Sequence, residues 1–237
     1  MNNHEQFIKY CEKITLNDSH INKLREKRDI IRDKIRTYFA LKNKKKPSFY
    51  MQGSFAMKTT IIPLSGEYDL DDGVYVQYID TTQDIDNWLK PQTIHNWIYD
   101  AVDNHTSTSP QRLKKCVRVI YQDGINFHLD LPCYVAKKIN KEDKYYVADK
   151  SKNAWHKSDP KAIRDWFKSE IQNKGEQLRS IIIYLKGWKD YREFNNKQLE
   201  LLGGFQLTVL AVNCFVPAKD NDEKSFIQTF RHRFKNS

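Results

Sequence analysis

Three aspartates fall close together in a segment that otherwise alternates like a strand, "EYDLDDGVYV", where Asp69, Asp71 and Asp72 interrupt tyrosine, leucine and valine. Aspartate is a poor strand former, so propensity does not account for carboxylates here. Residues two apart on a strand share a face. Asp69 and Asp71 therefore point one way, while Leu70, Val74 and Val76 point toward a core; Asp72 falls on the other face from the pair. A later run, "INFHLDLPCYV", repeats the arrangement: Ile125, Phe127, Leu129 and Leu131 form one face, and Asn126, His128 and Asp130 the other. If the two strands are neighbours, Asp69, Asp71 and Asp130 converge. Three such carboxylates repel one another unless protonated or neutralised by cations. Magnesium suits an all-oxygen site, because it takes carboxylates, waters and substrate phosphates. Two such ions serve phosphoryl transfer, one at the attacking hydroxyl and one at the leaving pyrophosphate.

The plainer alternative is a set of solvated strand-edge carboxylates paired with lysines. Upstream, Gly53-Ser54 in "MQGSFA" shifts the balance. A tight glycine turn lets backbone N–H groups approach a phosphate, and the following hydroxyl adds a donor. His128 shares the strand face of Asp130, but such a histidine is more often a partly buried polar residue with a local partner than a ligand or base.

The elements that must position these residues follow from periodicity. Ile21, Leu24, Ile31, Ile35 and Tyr38 recur at helical spacing, which predicts a helix over 18–41 capped by Asn17, Asp18 or Ser19. Strands are expected at 48–52, 67–78, 115–121, 125–137 and 144–149, with "QDGI" at 122–125 as a hairpin turn. A helix from Pro91 to about His105 interrupts them. After residue 150 the pattern is helical throughout: Asp159 caps a helix with Pro160 in its first turn, and others follow at 176–192, 204–215 and 222–234. The expected fold class is α+β: residues 1–150 as a catalytic lobe with a mixed sheet and a long N-terminal helix, and residues 151–237 as a helical lobe. A cleft between two lobes is a common ligand site. The five tryptophans sit mostly where core packing accounts for them.

With 237 residues and 39% hydrophobic residues the chain can build a packed core. Its net charge of +10 is compatible with polyanionic partners, and equally with a generally lysine-rich surface. The densest basic run, "KNKKKP" at 42–47, reads as a loop. Cys11, Cys116, Cys133 and Cys214 lack metal-binding spacing and read as reduced thiols. No signal peptide is visible, and the most apolar segment, 205–217, is too short to span a bilayer. The expectation is a cytoplasmic protein with no membrane partner.

"GSFAMKTTIIPLSGEYDLDDGVYV" together with "NFHLDLPCYV" resembles the DNA polymerase β-like nucleotidyltransferases, and among them the bacterial relatives of cyclic GMP–AMP synthase, the CD-NTases. "LRSIIIYLKGWKDY" and "GGFQLTVLA" look like helices of their second lobe. The resemblance covers most of residues 15–217. It implies that Asp69 and Asp71 bind two Mg2+ ions, with Mn2+ as an alternative. Asp130 helps to bind the metal at the attacking hydroxyl and activates that hydroxyl. Ser54, the Gly53 backbone and Gln52 would hold the donor triphosphate, and Lys186 matches a position that contacts donor phosphates. Leu178, Ile181, Leu185 and Trp188 form an apolar stripe, and Arg179 and Lys186, seven apart, share another helix face, so Arg179 joins the nucleotide-binding set. Phe205 stands where relatives stack an aromatic ring on a base. Gly204 replaces a phosphate-contacting serine of many relatives. The chain ends earlier than the family pattern leads one to expect, and no zinc-binding insertion of the animal synthase is present.

The function so implied is condensation of nucleoside triphosphates into a cyclic di- or trinucleotide messenger in anti-phage signalling, read by an effector encoded separately, with RNA as a candidate activator. The alternatives are transfer to a linear oligonucleotide, an RNA end or a protein, or a degenerate RNA-binding module.

Overall fold

The computed structural model describes residues 3–76, 84–122, 126–139 and 142–232. Residues 77–78 of the expected second strand, 123–125 of the expected hairpin turn and 233–234 of the last expected helix lie outside the described residues. The fold class is as expected, α+β with a sheet and a set of helices. The chain forms two compact units that alternate along the sequence. One comprises residues 22–52 and 69–163; the other takes the segment up to Ile21, Gly53–Tyr68 and the chain from Arg164 on. A single boundary near residue 150 does not coincide with these units.

The first unit holds the sheet. Helix α2 (Asp18–Leu41) begins where the His20 N–H donates to Asn17 Oδ1 at 2.9 Å, so Asn17 is the cap. It buries Leu24, Ile31, Ile35 and Phe39. Phe39 takes the core place expected for Tyr38, whose hydroxyl reaches the Asp100 carboxylate at 3.4 Å. Among the described residues the sheet has seven strands: β1 (Ser48–Gln52), β2 (Tyr68–Val76), β3 (Gln111–Arg112), β4 (Cys116–Tyr121), β5 (Phe127–Ile139), β6 (Glu142–Asp149) and β7 (Ala154–Lys157). They run in the order β1-β2-β5-β4-β3, with β6 on β5 and β7 on β6. The neighbour relation of β2 and β5 brings the two aspartate-bearing strands side by side. Leu70, Val74, Leu129 and Leu131, all at most 1% exposed, are buried in the core. Helix α4 (Pro91–Val102) packs on β4, β5 and β6 and buries Ile94, Ile98 and Val102. It stops three residues short of His105. Strands β3 and β7 were not expected, and β7 corrects the reading of an all-helical chain after residue 150. Its four residues alternate about a buried Trp155, a pattern too short to stand out.

In the second unit lie α1 (His4–Ile14), α3 (Gly53–Ala56), α6 (Gln177–Asn195), α7 (Gly204–Cys214) and α8 (Asp222–His232). Helix α5 (Pro160–Lys174), capped by the Ala162 N–H donating to Asp159 Oδ1 at 3.0 Å, leads into it. Leu178, Ile181, Ile182 and Leu185 of α6 pack with Met57, Phe167, Ile171, Ala211 and Val212. α1, not expected from sequence, lays Phe7 edge-on against Tyr184 at 5.0 Å and beside Phe226 at 5.6 Å. It passes so close to α6 that a Cβ on Gly187 would stand 2.5 Å from the Tyr10 hydroxyl. Any larger residue would have to push the Tyr10 and Ile14 side chains aside.

Candidate active site

Strand β2 carries Asp69 and Asp71 on one face, and β1 pairs with it so that Gln52 lies opposite Asp71. On the far side, β5 carries His128 and Asp130, and β4 pairs with it so that Arg118 lies opposite Asp130. Directly opposed residues of antiparallel strands share a face. Arg118 binds the Asp130 carboxylate with both arms of its fork, Nε to Oδ1 at 2.7 Å and Nη2 to Oδ2 at 2.8 Å. The same guanidinium stands 3.1 Å from Asp69 Oδ1 and 3.1 Å from His128 Nδ1, and His128 Nδ1 lies 3.1 Å from Asp69 Oδ1. The structure thus brings together Asp69, Asp130, His128 and Arg118, and Asp71 feels the cluster electrostatically. Burial first, then the charges of Asp130 and Asp69, push the Asp71 carboxyl up to about 7, against the opposing pull of Arg118.

Asp72 belongs elsewhere, as its parity indicates. It is fully buried and accepts Arg32 Nε and Nη2 at 2.6 Å each. A lysine-or-arginine-paired carboxylate is the right description for that residue. Its neighbours Asp69 and Asp71 outnumber their cations: three carboxylates, counting Asp130, face one guanidinium. That surplus of oxygen donors and negative charge fits a hard divalent cation. As the side chains stand, no three of His, Cys, Asp and Glu among the described residues are arranged to hold a metal ion.

Gln52 is 7% exposed and accepts the Tyr134 hydroxyl at 3.3 Å on Oε1, which leaves its amide N–H2 as the free end. Gly73 permits this. A Cβ there would come within 3.0 Å of the Tyr75 ring, 3.1 Å of the Tyr134 ring and 3.3 Å of Gln52 Oε1.

The remaining expected site residues belong to the helical unit. Gly53 adopts φ +65°, the left-handed region that glycine favours. Ser54 opens α3 and shares a hydrogen bond of 2.9 Å with the Thr60 hydroxyl. Lys186 is not on a solvated face. It is 8% exposed and donates to Thr59 O at 3.0 Å and Thr59 Oγ1 at 2.9 Å. Burial draws its ammonium down to about 8. Arg179 donates to the Met57 carbonyl and pairs with Glu176 at 2.7 Å. Arg179 and Lys186 of α6 therefore grip the segment that follows Gly53-Ser54. Gly204 lies beside them: a Cβ there would meet Lys186 Cε at 3.6 Å, an ordinary contact. Phe205, in the first turn of α7, is 47% exposed.

Sequence reasoning missed Arg118, Thr59 and Tyr134. For Arg118 a signal existed, since it is the single charge in the alternating strand "CVRVIY".

A sheet that presents carboxylates on neighbouring strands, joined to a helical unit, is the fold of the polymerase β-like nucleotidyltransferases. The resemblance read from the motifs holds. Residues 1–170 match the model of the Second Messenger Oligonucleotide or Dinucleotide Synthetase domain, and the chain belongs to that family. It is 24% identical over 176 residues to the cyclic GMP-AMP synthase of Escherichia albertii, a match covering 71% of this chain and 36% of that protein. A cyclic GMP-AMP synthase of Escherichia coli matches at 24% identity, with 42% of its length covered. The chain spans less than half the length of these curated relatives. Among solved structures, the apo form of DncV from Vibrio cholerae superposes with a TM-score of 0.78 at 19% identity, over 99% of this chain and 79% of that one. CdnC of E. coli MS115-1 with ATP gives 0.64 at 14% identity, over 89% and 64%. No helix among the described residues is long and apolar enough to cross a membrane.

Proposed function

We propose that this protein is a magnesium-dependent nucleotidyltransferase that condenses nucleoside triphosphates into a cyclic di- or trinucleotide messenger. The observation that carries the reading is the convergence of Asp69 and Asp130 from neighbouring strands, with the Asp71 carboxyl raised by burial and then by their charges, in a chain of the messenger-synthetase family. In each step a ribose hydroxyl attacks the α-phosphorus of a bound triphosphate. The new P–O bond forms as the bond to pyrophosphate breaks, and the hydroxyl proton passes to a base. In this reading Asp69, Asp71 and Asp130 are cation ligands, and Asp130, 8% exposed, also activates the attacking hydroxyl. Two Mg2+ ions (or Mn2+), when bound, supply Lewis acidity at the hydroxyl and at the leaving group. Gln52, Gly53, Ser54, Lys186 and Arg179 hold the triphosphate, and Phe205 stacks on a base.

The relatives' names support nucleotide substrates: one V. cholerae DncV structure is a complex with nonhydrolyzable GTP, another with a linear intermediate. Anti-phage signalling in the cytoplasm, a separate effector for the product and RNA as an activator complete the reading. Incubation with labelled ATP, GTP, CTP and UTP plus Mg2+ tests it. The expected product resists phosphatase, as a ring does, and RNA added to the same assay tests activation. Asp130→Asn should keep the fold and lose on the order of a hundredfold or more in rate. Linear, phosphatase-sensitive products would establish the alternative acceptor reading, and near wild-type synthesis by Asp130→Asn would remove Asp130 from the site.

A further inference from the structure

We propose that Arg118 is a positioning residue acting through Asp130: it holds that carboxylate by both oxygens until a divalent cation displaces it, so that cation binding is a competition against an internal cation. The proposal rests on the nucleotidyltransferase reading of the same carboxylates.

The hold is built into the sheet. Arg118 and Asp130 are directly opposed partners of β4 and β5, and Val117 and Val119 on either side of Arg118 are at most 1% exposed. The backbone is therefore fixed and only the side chain can swing. The guanidinium forms the planar, two-bond fork with Asp130 at 2.7 and 2.8 Å that favours arginine over lysine. It also lies 3.1 Å from Asp69, so one cation spans two of the three carboxylates. The Asp130 side chain is 12% exposed and the Arg118 side chain 21%, so water does little to relieve the contact. Arginine cannot give up its proton to leave the site as a neutral group. It can yield the lone pairs of Asp130 only by moving.

A second feature makes the competition necessary. Without Arg118, three carboxylates would share this face with His128, and like charges held close together are strongly unfavourable. Arg118 stabilises the cation-free sheet, and by the same contact it opposes the cation. In this conformation the Asp130 carboxylate is turned to the guanidinium, and among the described residues no three ligand-type side chains are arranged around a metal position.

The experiment is Mn2+ titration of nucleotide-free protein, followed by loss of the free-ion electron paramagnetic resonance signal at fixed ionic strength. Wild type, Arg118→Met, Arg118→Lys, Asp130→Asn and the Arg118→Met/Asp130→Asn pair are compared, each verified by its cooperative melt. Removing the internal cation should tighten Mn2+ binding at least about fivefold, a modest share of the Coulomb energy of one charge at such range. Arg118→Lys keeps the charge and loses the fork, so it should fall between wild type and Arg118→Met; it also serves as the test if Arg118→Met does not fold. In the Asp130→Asn background, Arg118→Met should give a clearly smaller gain. Folded Arg118 variants that bind Mn2+ no more tightly than wild type would overturn the proposal, since a strand-tying arginine predicts unchanged or weaker binding. Mn2+ affinity indifferent to Asp130→Asn as well would instead sink the underlying assignment of the carboxylates.

Discussion

Lys186 is the residue at which charge and burial conflict most plainly. Its ammonium spends two of three N–H groups on Thr59 and has its pKa drawn from 10.5 to about 8 by loss of water. The sign of the consequence is fixed by proton counting. Below pH 8 the group is charged in both folded and unfolded chains. Between about 8 and 10.5 the folded chain binds fewer protons, so ligand-free stability rises with pH across that window. In the proposed binding set nucleotide binding would run the other way, because a triphosphate at Lys186 would recruit the ammonium form. The affinity for a non-hydrolysable triphosphate should therefore fall above pH 8, approaching about tenfold per pH unit. Lys186→Arg should flatten the profile, and Lys186→Ala should raise KM more than it lowers kcat, as loss of a phosphate contact made before and during reaction does. Identical pH profiles for wild type and Lys186→Ala would place Lys186 outside the binding set. Gly204 supplies the complementary arm. With room for a Cβ 3.6 Å from Lys186 Cε, Gly204→Ser should be accommodated and should lower KM if phosphates lie there.

At the scale of elements, close approach governs the helical unit. Gly187 lets α1 cross α6 with Tyr10 and Ile14 resting on its backbone. A Gly187→Ala side chain would meet the Tyr10 hydroxyl at 2.5 Å and Ile14 Cδ1 at 2.8 Å. Overpacking of this kind costs roughly 1–3 kcal/mol, even though alanine is the better helix former. A lower urea midpoint with an unchanged slope is the expected outcome; an unchanged midpoint would show that α1 yields freely. The same scale explains what was legible. The aspartate strands announced themselves because carboxylates broke the alternation of "YDLDDGVYV", while the neighbour relation of β2 and β5 entered only as a condition that the sheet order meets. Arg118 stood out as the single charge of its strand, but its partner was hidden by register. A two-residue turn at Asp123-Gly124 would set Arg118 opposite Leu129 and on the core side; the actual register sets it opposite Asp130. One residue of slip reverses every side chain of a strand, and nothing in "QDGI" specifies that residue. Helix α1 was hidden differently. Phe7, Cys11 and Ile14 have helical spacing, but no residue of α1 is fully buried and its other positions are mostly charged or polar. Three part-buried side chains are a faint stripe.

Across the whole molecule, composition said little about partners. Some of the positive charge is committed: Arg32 to Asp72, Arg118 to Asp130, Lys44 over the Trp97 ring at 3.9 Å. Element order was readable, whereas the alternation of the two units was not, since it depends on which segments pack together far along the chain. That alternation governs the order in which a growing polypeptide can mature. The sheet-bearing unit is complete once Ile163 has emerged. Helix α1 leaves the ribosome ahead of the sheet-bearing unit, yet its partners Tyr184 and Phe226 come well after that unit. The Asn3 N–H donates to Glu223 across 220 residues of sequence, and Phe7 waits for Tyr184 and Phe226. At synthesis rates of roughly 5–20 residues per second, that wait is on the order of 10 to 40 s. Ribosome-arrested chains extended as far as Gly175 should accordingly resist trypsin within residues 22–163 while remaining open to cleavage after Lys9 and Lys13. During that interval α1 is a bare, half-apolar helix, and a chaperone that captures such segments would find its window there.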